Sequence, residues 1–186
     1  STPEDIILTG AALTVGEVEG YGVRTSEGTL TIDPDSTLSV TSAGEDGVSV
    51  YGLVTMDGTL TVSQAAGQGL VSTTAGIRMS GTAQVNAQGD GVRAQLGITT
   101  SETSLLNVEA GGIGVLSQTG SVTLLSREGE EASITAGGDG VVSADKVIIS
   151  QPGEWSIDAG TVGIRAQGDV TVGGTEEGVC NLSITS

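Results

Sequence analysis

The stretch GVSVYGLVTMDGTLTVS, residues 47–63, decides the fold. It holds three short runs in which apolar and polar residues alternate, at 47–50, 53–56 and 59–63. A period of two sends successive side chains to opposite faces of a strand. The same three-run unit recurs along the chain. Each time it opens on a glycine followed by a branched aliphatic residue: Gly22-Val23, Gly47-Val48, Gly69-Leu70, Gly91-Val92, Gly114-Val115, Gly140-Val141 and Gly163-Ile164. These steps fall 22 to 26 residues apart. That range marks a solenoid, whose units bury a core only by stacking on one another.

Aligned on the glycine step, the third run of each unit gives two apolar columns. One reads Leu38, Leu60, Ala83, Leu106, Ala132, Trp155, Leu182, and the next Val40, Val62, Val85, Val108, Ile134, Ile157, Ile184. Between them lies a polar column: Ser39, Thr61, Gln84, Asn107, Ser133, Ser156, Ser183. The second run alternates likewise, with Leu30/Ile32, Val54/Met56 and Ile77/Met79 inward and a Thr-rich row outward, Thr31, Thr55, Arg78, Thr99, Thr123, Ile148, Thr171. The fold expected is all-β: a single-stranded three-sided parallel β-helix over residues 1–186, with about seven full coils and a partial one. Parallel crossovers favour right-handed winding. At about 4.8 Å per coil the rod is roughly 35 Å long.

Glycine-rich turns precede the steps, where positive backbone dihedrals would explain the glycines. The corner between the second and third runs varies in length instead, from Asp57 alone to the LSREGEE and GGTEEGV insertions. Insertions of this kind gather on one edge of a solenoid.

Six basic residues against 23 acidic ones give a formal charge of −17. Nucleic acid needs Lys and Arg on its phosphates, so it is disfavoured, and an anionic membrane surface falls with it. No signal-peptide pattern and no apolar run of spanning length is present, so no membrane insertion is expected. With strand-like ends and no capping helix, the chain is expected to belong to a longer surface protein, or to self-associate through its coil ends. Leu116 and Val142, with Ile148, form a second expected contact patch. Cys180 is the only cysteine and is expected to be a buried free thiol without metal.

With no histidine in the chain, candidate chemistry rests on carboxylates. Glu131 and Glu154 share a column on neighbouring coils, which puts them about 5 Å apart, the separation of a retaining glycosidase pair. They are candidate ligand-binding residues, together with the aromatic Tyr21 and Tyr51. Trp155 stands in an inward column beside Ala132 and reads as core. Asp46, Asp90 and Asp139 precede their glycine steps. They are the weak candidates for metal, as calcium ligands, although Asp before Gly is also common turn chemistry. Calcium apart, no cofactor is expected. Lys146 and Asp169 share an outward column and are expected to pair.

The stretch GDGVVSADKVIISQPGEWSIDAGTVGIRAQGDVTVGG, residues 138–174, resembles the repeats of bacterial cell-surface and secreted parallel β-helix proteins. It is similar to the carbohydrate-binding β-helix domains of Firmicutes. The resemblance implies an extracellular, bacterial setting and polysaccharide binding, in some members with calcium. The function expected is a non-catalytic extracellular module that binds polysaccharide or serves as a rigid adhesin stalk. Its partner would be a polysaccharide or another surface protein. The alternatives are a polysaccharide lyase or glycoside hydrolase-like enzyme and, from the Thr row, an ice-binding solenoid.

Overall fold

Runs of Val, Ile, Leu and Thr three to seven residues long, cut by glycine-rich corners, are too short for helices and well suited to strands. The computed structural model describes residues 4–150, 153–173 and 182–186, and among these it contains twenty-three strands and no helix. All strand pairs are parallel and join equivalent runs of successive units, so the chain is the expected parallel β-solenoid of about seven turns. The first runs form a seven-stranded face and the second runs an eight-stranded one. The third runs form another eight-stranded face, from Ala12–Val18 to Leu182–Thr185.

The expected columns are in register. Leu38, Leu60 and Ala83 pair in turn, as do Ala132, Trp155 and Leu182. Leu60 and Val62 are fully buried while Thr61 faces outward, half-buried. Trp155 is 1% exposed between Ala132 and Leu182, large beside small, as a void-free core requires. A third inward column runs through Ala43, Ala65, Ala87, Ala110, Ala136 and Ala159. At the end of the first runs a column of small residues, with Ser72, Ser117 and Ser143, turns buried hydroxyls to corner carbonyls.

The glycines of the turns before the steps, and the step glycines that close those turns, do not have the positive dihedrals expected of them. Among the described residues only Gly10 and Gly129 have positive φ, and neither is a step glycine. Space decides instead. A Cβ on the seven step glycines would lie 2.1–2.5 Å from a methyl of the Val40–Ile184 column. On all but Gly163 it would also meet the carbonyl oxygen of the next step glycine at 2.4–2.8 Å. Ordinary contacts are 3.4–4 Å. The first face therefore lies against the third with no room for a side chain between them.

At the two terminal rungs apolar side chains are exposed: Ile7 and Leu13 at one, Val170, Val172 and Ile184 at the other. Lys146 and Asp169 share a rung position, yet form no ion pair within 4 Å, contrary to expectation. Leu116 and Val142 are half-buried in the outward column of the first face, and Ile148 stands on the second. The expected patch is thus divided between two faces. Cys180 lies outside the described residues.

Gly91→Ala is predicted to destabilise by about 3 kcal/mol or more, because its Cβ meets Val108 and a backbone oxygen that cannot move aside. At Gly20, where the added Cβ meets nothing, alanine is predicted to change stability by less than about 0.5 kcal/mol. Denaturant midpoints of the two variants check the pair, and equal midpoints would refute the close-packing account.

Candidate functional site

The third face has the longest strands and therefore the widest outward surface. Its central outward column contains Thr14, Ser39, Thr61, Gln84, Asn107, Ser133, Ser156 and Ser183, all uncharged. A second outward column contains Asn86, Glu109, Thr135 and Asp158. Where the two run side by side, a shallow trough of about 430 Å³ opens across four strands, Thr59–Ala65, Thr82–Ala87, Leu105–Ala110 and Glu131–Ala136.

A β-bulge lies within the trough. Strand Thr59–Ala65 has two residues, Ser63 and Gln64, between its inward Val62 and Ala65. Thr82–Ala87 has only Asn86 between Val85 and Ala87, and the register shifts there. A bulge bends its strand and re-aims the neighbouring side chains.

The polar groups of the trough divide into spent and free. Asn107 accepts through Oδ1 from the Ser133 N–H and hydroxyl at 3.2 and 2.9 Å. Its Nδ2 stays available. Asn86 donates its Nδ2 to Glu109 at 3.1 Å and keeps its carbonyl oxygen. Among the described residues, the side chains of Thr61, Ser63, Gln84 and Thr135 have no protein partner. Hydroxyls and amides that face water unpaired, on a rigid sheet, can pair with the hydroxyls of a ligand at little cost in ordering.

The residues expected from the sequence are placed elsewhere. Glu131 and Glu154 are direct strand neighbours, as expected. Both are exposed on the rim of the third face, and neither lines the trough. Glu130 pairs with Arg127 at 3.2 Å, and Arg127 also donates to the Thr103 carbonyl at 3.0 Å, so the SREGEE insertion is fastened to the preceding coil.

Tyr21 is half-buried rather than free. The Arg24 guanidinium lies 4.3 Å from its ring centroid, and its hydroxyl bonds to the Glu45 carboxylate, which raises its pKa. Tyr51 is 46% exposed at the opposite end of the first-face strands, so the two rings do not form one platform.

Asp46, Asp90 and Asp139 stand two coils apart, about 10 Å at the strand spacing. Each carboxylate instead reaches the next coil. Asp46 accepts from the Gln68 N–H at 2.9 Å and Asp90 from the Ile113 N–H at 3.0 Å. Asp139 accepts from the Thr161 hydroxyl and the Val162 N–H, and pairs with Arg165 at 2.9 Å. Gln68, Ile113 and Val162 hold the same turn position one coil later. The three aspartates therefore stitch corners together. Among the described residues no group of three or more acidic or thiol ligands converges on a metal position.

The Thr161 hydroxyl, then Arg165 and the Val162 amide, hold the Asp139 pKa below the ordinary aspartate value. A folded pKa below the unfolded one gives stability that is complete above the unfolded value, about 3.9. It is lost as pH falls through the depressed folded value. Asp139→Ala is predicted to cost about 1–2 kcal/mol at neutral pH, the range for a charge-assisted hydrogen bond at a partly covered site. Below the unfolded value the difference from the parent shrinks. Thermal melts at pH 7 and pH 2.5 check this; a cost that is equal at both would refute it.

No protein-family model matches the chain, and no curated protein or solved structure matches it.

Proposed function

We propose that this chain is a non-catalytic, extracellular module of a bacterial surface protein that binds polysaccharide on its third face. The observation that carries the reading is the trough, lined by hydroxyls and amides without protein partners on a rigid sheet. Sugar hydroxyls both donate and accept, and mixed amide and hydroxyl surfaces complement them. The likeness of residues 138–174 to surface β-helix repeats supplies the bacterial, extracellular setting.

A rigid stalk is the second reading. It is favoured by the 2% aromatic content and by a trough without any aromatic ring. The glycoside hydrolase alternative rests on Glu131 and Glu154, which stand on the rim and gain nothing from the trough. The ice-binding alternative rests on the Thr row of the second face, which Arg78 and Ile148 interrupt.

A polysaccharide array with and without calcium separates the readings. Binding to at least one polysaccharide is expected, and it should persist in EDTA, because the trough has a single carboxylate, Glu109. A blank array would leave the stalk. Binding abolished by EDTA would move the site from the trough to the aspartate corners.

A further inference from the structure

The central column of the third face crosses eight strands without meeting a charged residue, on a chain whose formal charge is −17. We infer that the trough takes an uncharged polysaccharide lying along the rod axis, across the strands, and that Gln84 reads it. This rests on the polysaccharide reading and adds a charge class, a direction and a specificity-determining residue.

Charge sets the class. No Lys or Arg lines the trough. A uronate or sulfated polymer would meet no counter-charge there, and would face Glu109 within it and Glu131 on the rim. A cationic polymer would be drawn to the acidic surface as a whole, with no preference for a stripe that has no charge. Hydroxyl and acetamido groups are the chemistry that unpaired amides and hydroxyls select.

Geometry sets the direction. A single strand offers few outward groups to the trough: Gln84 and Asn86 are two residues apart, about 7 Å. Across the strands, Thr61, Gln84, Asn107 and Ser133 repeat at every coil, three spacings or about 14 Å in all. The trough itself is built from four strands, so its length lies across them. An extended polymer placed this way meets a comparable group at each coil.

Gln84 stands between Thr61 and Asn107, beside the bulge. Asn107 has spent its acceptor on Ser133 and Asn86 has donated to Glu109. Among the three amides lining the trough, only Gln84 makes no hydrogen bond to a protein group, so its carbonyl and both its N–H groups stay available. It can turn to bond two adjacent ligand groups at once without giving up a protein contact, whereas Asn86 and Asn107 are shorter and held by theirs.

The test uses calorimetry on the described chain with neutral hexasaccharides from glucan, xylan, mannan and chitin, and with an oligogalacturonate hexamer. A neutral hexamer is expected to bind and the galacturonate to bind at least tenfold more weakly. Gln84→Ala should weaken the neutral ligand about tenfold, the loss of two hydrogen bonds. Thr61→Leu and Thr135→Leu, on the two outermost strands of the trough and both without a protein partner, should each weaken it, with melting midpoints little changed. Galacturonate binding as tightly as the neutral hexamers would overturn the charge class and leave polysaccharide binding standing. Sensitivity to only one of the two end substitutions would overturn the direction. An unaltered affinity in Gln84→Ala would overturn the role of Gln84. If no hexamer binds and the wider array is blank, the polysaccharide reading fails with it.

Discussion

Everything in this rod depends on seven missing Cβ atoms. At each glycine step the backbone passes so close to the Val40–Ile184 column that a methyl group would lie 2.1–2.5 Å from its neighbour. Two faces are thereby pinned against each other at each of these steps. The constraint is steric, so it repeats without adjustment at Gly22, Gly47, Gly69, Gly91, Gly114, Gly140 and Gly163. A constant cross-section follows. Because the coils cannot drift sideways, residues spaced by one unit in sequence become neighbours along the axis. The uncharged column of the third face is a product of that registration rather than of any local motif.

The acidity of the chain has a structural share as well. Among the described residues only three ion pairs form, all through Arg. Aspartates at the corners use their oxygens mainly on backbone N–H groups and hydroxyls of the adjacent coil. Asp5 on Thr29, Asp46 on Gln68, Asp90 on Ile113, Asp145 on Ser121 and Asp33 on Thr9 all do so. Turns leave N–H groups without a ladder acceptor, and a short carboxylate supplies one. Asp46, Asp90 and Asp139 occur on alternate coils. At about 10 Å their mutual repulsion is largely screened at physiological salt, which adjacent coils at about 4.8 Å would not allow.

The fold was legible because alternation survives alignment. Leu60, Thr61 and Val62 announce in, out, in, and the glycine steps supply the period. What alignment could not show was why the glycines are there: Gly91 is crowded, while Gly10 has open space around it and a positive φ. The candidate site was half legible. Gln84 and Asn107 fall in an outward column of the aligned units, but an outward polar residue reads the same whether it is free or spent. Hydrogen bonds such as Asn107 to Ser133 and Asn86 to Glu109 join residues 26 and 23 apart, and only coordinates show which groups remain available. The contacts of Tyr21 with Arg24 and Glu45 at a corner are hidden in the sequence for the same reason.

Rigidity and neutrality on one face are linked through the corners. Strands with flat outward surfaces are easily joined edge to edge or face to face, and surface charge is the usual defence. Here the turns provide much of that charge, through carboxylates that also hold successive coils together. The central column of the third face is thereby relieved of a solubilising role. It can stay uncharged from Thr14 to Ser183 while the molecule as a whole stays strongly acidic. Charged corners beside an uncharged sheet leave that sheet free to present hydroxyls and amides in step with the coil spacing.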